Sequence, residues 1–271
     1  MSEGNEMLFG AMNFPIRPLL EEIDAISSLG FDYLELTMDP PEAHHETIRE
    51  NKEALLNALG VRHMSLVCHL PTFVNTADLT AGLRAASLKE ILQSLEMAAE
   101  IQPSKVVLHP GYFTGLSSLV LEQVQGYALR SLEKIVHTAD RLGLCLCIEN
   151  MFPKIGGYTK PEDFVALFKA FPSLKMTLDI GHANLGSKAS KKALGFIEQF
   201  ADRIDHLHAS DNFGNRDDHL PIGTGTVEFL KIIEALKRIG YDATVTFEVF
   251  SRDRDYLRIS REKFIVMWDA A

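Results

Sequence analysis

Cysteine is scarce in this chain: Cys68, Cys145 and Cys147 are the only three among 271 residues. So odd and sparse a set argues against a secreted disulfide framework and for free thiols in a reducing compartment. No run of about 18 apolar residues is free of charge, so no membrane span is expected. The opening MSEGNEMLFG lacks a basic stretch leading into a long apolar segment, and the expectation is a soluble, cytoplasmic protein without a leader. Positive charge is also short, with 27 Lys+Arg against 37 Asp+Glu and a net charge of −10. That field repels polyanions and disfavours a nucleic-acid partner. Low-complexity tracts, charge blocks and Pro/Gly/Ser linkers are missing too, which leaves residues 1–271 as one domain.

What is present is apolar material, 46% of residues, organised as short β-rich runs alternating with Ala/Leu/Glu/Lys-rich amphipathic stretches. The runs lie at 7–12, 32–37, 64–69, 105–109, 144–149, 175–179, 204–208 and 243–248, and each is followed by a helical pattern. Leu-Gly at 29–30, 59–60 and 142–143 and Ile-Gly at 239–240 place glycines where helices should end before the next strand. Eight βα pairs in about 250 residues predict a single (β/α)₈ TIM barrel, with its site at the C-terminal strand ends. A doubly wound open sheet would want a glycine-rich first turn, which GAMNFP does not supply.

The last residues of strands three to eight are His69, His109, Glu149, Asp179, His208 and Glu248, all able to bind a metal. One such residue is more often a hydrogen-bonded structural group, but six consecutive strand ends meeting at one barrel mouth make a cluster. His182, three after Asp179, and Asp217 with His219 in DNFGNRDDHLPIGTG add loop donors beside glycines. A mixed imidazole and carboxylate set suits a divalent transition metal, zinc or manganese, rather than Mg²⁺ or Ca²⁺.

The other polar residues carry blander expectations. His206 shares the parity of His208 one layer deeper and should be buried and hydrogen-bonded, outside the metal set. Cys145 and Cys147 should be small buried thiols filling a barrel layer. His44 and His45, after a Pro-Pro turn, should meet solvent; His137 falls within a helix and His63 lies at the end opposite the mouth.

These motifs resemble the xylose isomerase-like TIM barrel superfamily, which includes sugar isomerases, sugar epimerases and the endonuclease IV type of apurinic endonuclease (AP endonuclease family 2). The resemblance spans nearly the whole chain through VCHLP, VLHPG, CIENM, LDIGH, LHASD, DDHLPIGTG and TFEVF. It implies one to three ions. Glu149 would bridge two, His69 and His109 completing one and Asp179, His208 and Glu248 the other, with His182, Asp217 and His219 holding a third. Sugar-acting members resemble this with one ion at the positions matching Glu149, Asp179, His208 and Glu248. The chain departs from endonuclease IV at Asp179-Ile180-Gly181-His182 and Gly10-Ala11-Met12, and its segment ELTMDPPEAHHE, from the end of strand two onward, carries Glu35, Asp39 and Glu42, acids that oppose phosphate contacts.

The resemblance therefore implies a metal-dependent sugar or sugar-phosphate isomerase or epimerase. Glu149 and Glu248 are expected to exchange a substrate proton and His182, where no third metal holds it, to stabilise the developing oxyanion. Glu35, inward by parity, is expected to bind substrate hydroxyls, its alternative being a core-facing acid paired with a neighbouring cation. Phe73 is expected either to stack on a sugar face or simply to close the barrel mouth. The alternative activity is trinuclear zinc phosphoester hydrolysis, favoured by the complete nine-residue set. The C-terminal SRDRDYLRISREKFIVMWDAA reads as the last barrel helix, whose apolar side could instead support a homodimer.

Overall fold

Parity along the strands decides this architecture. The computed structural model describes residues 7–271, and residues 1–6 of the opening MSEGNEMLFG lie outside it. Its strands are β1 (Leu8–Met12), β2 (Tyr33–Thr37), β3 (Ser65–His69), β4 (Val106–Leu108), β5 (Leu146–Glu149), β6 (Lys175–Asp179), β7 (Ile204–Ala209) and β8 (Thr244–Phe247). All pair in parallel and in chain order, and β8 closes on β1 through Phe9↔Val245 and Ala11↔Phe247. The single (β/α)₈ barrel expected from the alternating pattern is the fold observed.

Alternate residues face two different cores. Leu34, Leu36, Leu66, Val106, Ile148, Leu178, Leu207, Val245 and Phe247 join the layer between barrel and helices. Tyr33, Val67 and Val107 form a separate apolar cluster, at the parity that points inside the barrel. Tyr33 fills the interior because Gly10 opposite it has no side chain; a Cβ there would come within 2.2 Å of the ring. Above this floor, the same inward parity carries Glu35, Thr37, His69, Glu149, Asp179, His206, His208 and Thr246.

The helices are α1 (Leu19–Ser28), α2 (His45–Glu50), α3 (Lys52–Val61), α4 (Ala81–Ile101), α5 (Leu121–Leu142), α6 (Glu162–Ala170), α7 (Ile180–Asn184), α8 (Lys191–Gln199), α9 (Phe229–Arg238) and α10 (Asp255–Ala270). Gly30, Gly143 and Gly240 adopt the left-handed conformation expected of helix-ending glycines. Gly60 does not: α3 continues to Val61, and His63, at φ 54°, makes the turn instead. Two βα units are more elaborate than one helix per strand, with α2 and α3 after β2 and the single turn α7 before α8. The apolar side of α10, including Leu257 and Phe264, packs within the chain's own core. No helix among the described residues is long and apolar enough to cross a membrane.

His45 corrects the expectation that the pair after Pro40-Pro41 meets solvent, for it is 1% exposed. The start of α2 lies against α4, where His44 Nε2 donates to Glu90 Oε1 at 2.7 Å and His45 Nε2 lies 3.3 Å from the same oxygen. His44 Nδ1 accepts from the Glu46 amide at 3.4 Å, so Nε2 carries the proton and this trio is a hydrogen-bonded helix contact.

Candidate active site at the barrel mouth

The stretch TLDIGHANL shows how the chain builds the mouth. β6 ends at Asp179, whose Oδ1 accepts from the His182 amide at 2.6 Å and so caps α7. That single turn carries the His182 ring back over the barrel. Asn150, directly after Glu149, clamps the same corner: its Oδ1 accepts from the Asp179 amide at 2.8 Å and its Nδ2 donates to the Asp179 carbonyl at 2.9 Å. After β7, Asp211 pairs with Leu220 as an isolated bridge, so that the intervening loop projects Asp217 and His219 inward. Asp211 holds the loop by accepting from the amides of Asn212, Gly223, Gly225 and Val227 at 2.9–3.1 Å.

All nine residues expected at the mouth converge there. His69 Nε2 and His109 Nε2 lie 3.4 and 3.1 Å from Glu149 Oε2. His208 Nδ1 lies 3.2 Å from Glu248 Oε1, 3.6 Å from Glu149 Oε1 and 3.8 Å from Asp179 Oδ2. His182 Nε2 and His219 Nε2 meet Asp217 Oδ2 at 3.2 and 3.0 Å.

The rings share one arrangement. The rear nitrogen of each has an acceptor: Leu70 O for His69, the Tyr112 hydroxyl for His109, Asn150 O for His182, Glu35 for His208 and Glu248 O for His219, at 2.8–3.2 Å. A neutral imidazole has one N–H, so these acceptors leave the front nitrogen of each ring a lone pair directed at carboxylate oxygen. Lone pairs facing lone pairs need a proton or a cation between them. Glu149 Oε2, Asp179 Oδ2, His208 Nδ1 and Asp217 Oδ1 are buried there without a hydrogen-bond partner. The donor set therefore fits one or more divalent cations, with imidazole nitrogen and carboxylate oxygen in the proportions of zinc or manganese sites.

Without a cation the protons take its place. Burial alone would depress His208 and His182, but Glu248, Glu35 and Glu149 around the first, and Asp179, Asp217 and Glu149 around the second, hold both well above the usual imidazole range. His219 is likewise raised to about 9 against the pull of burial, chiefly by its hydrogen bond to Asp217. Asp179 is pushed up to about 8 by burial, with Glu248 and Glu149 adding to the rise and His182 opposing it. Burial also works to raise Glu149, yet the imidazoles of His109 and His208 outweigh it and keep the carboxyl well below its ordinary value.

Above the cluster opens a cavity of about 330 Å³. Glu149, Glu248, His182 and His219 reach it, while Met12, Phe73, Tyr112, Met151, Phe152, Ile155 and Phe250 supply most of its wall. Apart from Phe73, those apolar walls and Tyr112 escaped sequence reasoning, since lone Met and Phe residues in loops give no periodic signal. Asn150 and Asp211 were missed for a different reason: their role is to hold backbone, which no motif spacing reveals. Phe73 stands at the cavity lip, 87% exposed.

Glu35 corrects its expected substrate role. It is 0% exposed, and its carboxylate is engaged below the mouth by His206, His208 and Thr246. A substrate hydroxyl cannot displace three buried donors, so the core-facing alternative describes it. His206 is buried and hydrogen-bonded as expected, to Glu35 and, through Nδ1, to Thr244 Oγ1 at 2.7 Å.

The sequence pattern described as "xylose isomerase-like TIM barrel" matches residues 23–265. The uncharacterized protein MJ1311 of Methanocaldococcus jannaschii is 31% identical over 95% of this chain and 92% of its own. L-ribulose-5-phosphate 3-epimerase UlaE of Escherichia coli is 24% identical over 86% and 82%. Among solved structures, a D-tagatose 3-epimerase-like protein superposes with a TM-score of 0.85 at 26% identity, covering 97% of this chain and 99% of that one.

Proposed function

Since the chain belongs to the xylose isomerase-like TIM barrel family, we propose that it is a divalent-metal-dependent epimerase or isomerase of a ketose without phosphate. The observation that carries this reading is the placement of Glu149 and Glu248. Both carboxylates reach one small cavity, from β5 and from the end of β8, three places apart in the ring of eight, and both adjoin His208 Nδ1. Two carboxylates on different walls can remove a proton from one face of a carbon and return it to the other, which inverts that centre. The relatives are named for such chemistry: D-tagatose 3-epimerase-like for one, L-ribulose-5-phosphate 3-epimerase for another.

Glu149, Asp179, His208 and Glu248 would hold one zinc or manganese, with His69 and His109, and His182, Asp217 and His219, offering places for two more. Once bound, the cation would polarise the substrate carbonyl and acidify the neighbouring C–H bond. The chain's own residues do the rest. Glu149 and Glu248 shuttle the proton, the protonated His182 ring donates toward the developing oxyanion where no further cation is held at its corner, and the Met and Phe walls exclude water. Phe73 closes over the sugar from the lip. Among the described residues no Lys or Arg lines the cavity, so no side chain of permanent positive charge would meet a phosphate, and a neutral polyol fits better.

The test is a panel of ketoses and their phosphates incubated with metal-loaded protein in deuterated water. Solvent deuterium should enter a C–H adjacent to the carbonyl of a free ketose, and Glu248→Gln should slow that exchange by about 10²-fold or more. If no free ketose exchanges at any metal loading, the proposal fails, and exchange into ketose phosphates alone would overturn the choice of an unphosphorylated substrate.

A second reading, phosphoester hydrolysis, is favoured by one observation: the His182–Asp217–His219 corner is fully assembled, though a one-ion sugar site does not need it. Cleavage of an abasic-site duplex or a small phosphodiester by the zinc-loaded protein, with no exchange into sugars, would establish it instead.

A further inference from the structure

The geometry points to Glu35 as a positioning residue that fixes which nitrogen of His208 is free to bind a cation. The inference rests on the metal-dependent reading above and names a residue that never touches substrate. Glu35 stands on β2, while the groups it engages stand on β7 and β8, beyond β1 in the ring. Its side chain therefore spans the barrel interior below the mouth. Oε1 accepts from His208 Nε2 at 3.0 Å and Oε2 from His206 Nε2 at 2.9 Å, and the Thr246 hydroxyl donates to Oε2 as well.

Two of these donors, His206 and Thr246, are locked from behind. His206 Nδ1 accepts from Thr244 Oγ1 at 2.7 Å, which leaves its single N–H on the side facing Glu35. Thr246 Oγ1 accepts from the Tyr33 hydroxyl at 2.7 Å and passes its own hydrogen to the carboxylate. An ionised carboxylate only accepts, so every group around it must present hydrogen. His208 thus places its N–H on Nε2 and its lone pair on Nδ1, the atom buried without a partner beside Glu248, Glu149 and Asp179. Carboxylates behind metal-bound imidazoles commonly select the tautomer in this way.

A conservative amide would break the logic while keeping the shape. Glutamine offers one acceptor and one NH₂, yet three hydrogens converge on the position. If the NH₂ faces His208, the ring is driven to carry its hydrogen on Nδ1, where a cation must bind. Aspartate, one methylene shorter, would fail to reach across. The cost then falls on cation affinity more than on the outer helices, since Glu35 lies inside the barrel.

Two measurements test the assignment without relying on turnover. In Glu35→Gln, competition with a chromophoric chelator should show zinc binding at the tightest mouth site weakened about 10- to 100-fold. In the zinc-loaded wild-type protein labelled with ¹⁵N-histidine, His208 should show a solvent-protected hydrogen on Nε2 and none on Nδ1, a readout that survives even if the variant does not fold. Unchanged zinc affinity in folded Glu35→Gln, or a hydrogen on Nδ1 of His208 in the loaded wild type, overturns the proposal. Neither result depends on which substrate is used, so failure of the sugar reading with tight, Glu35-dependent zinc binding would leave this assignment standing.

Discussion

At the scale of single residues, inward parity says that a side chain enters the barrel but not how deep it sits. Glu35 and Glu149 share that parity, yet Glu35 lies a layer below the cavity and Glu149 borders it. Phe73 has the opposite character: it touches the cavity while contributing almost no buried area to the fold. Phe73→Ala should therefore leave the unfolding midpoint unchanged and raise KM for the productive ketose about tenfold, the order expected from losing one aromatic contact. Steady-state kinetics beside a urea titration separates the two effects, and a stability loss with unaltered KM would remove Phe73 from the substrate site.

At the scale of elements, the catalytic groups depend on two short structures that bring loop residues back over the strands. One is the capped turn α7; the other is the loop after β7, gathered around the buried carboxylate of Asp211. Asp211→Ala would leave four backbone amides without their acceptor, at a cost of at least about 2 kcal/mol if even part of that loss is uncompensated. Asp217 and His219 ride on this loop, whereas His69, His109 and Glu149 stand on strands β3 to β5 or directly after them. Metal analysis of Asp211→Ala should accordingly show loss at the His182–Asp217–His219 corner and retention at the His69–His109–Glu149 corner. Equal loss at both would mean that the loop does not act separately.

At the scale of the molecule, the mouth couples folding, protons and cations. In metal-free protein the raised values of Asp179, from 3.8 to about 8, and of His219, from 6.5 to about 9, mean that the folded state holds these protons more tightly than the unfolded chain. Their stabilising contribution is full below the unfolded values and is lost as pH rises through the folded ones. Asp217 is shifted the other way, held low by His182 and His219 although burial opposes this, and its effect lies in the acid range below its unfolded value of 3.8. Chelator-treated protein should thus melt at progressively lower temperature between about pH 5 and 9, and zinc should flatten the curve by replacing the protons. A melting temperature that rises over this range without metal would contradict the arrangement of charges described here.

The amino-acid order alone determined the alternation of eight strands with helices, because burial on both faces of a closed parallel sheet and period-3.6 patterning leave direct marks in sequence. It also placed six groups able to bind a metal at or beside strand ends, since such proximity is a local property: β3, β5 and β6 end in His69, Glu149 and Asp179, while His109 and Glu248 directly follow β4 and β8 and His208 is the next-to-last residue of β7. Tertiary structure decided everything that depends on depth and on distant backbone: that Glu35 supports His208 from below, that His45 is covered by α4, that Gly60 stays inside α3, and that loop residues of no visible pattern wall the cavity. Parity repeats every two residues and cannot distinguish one layer of the barrel from the next; only the register between strands does that.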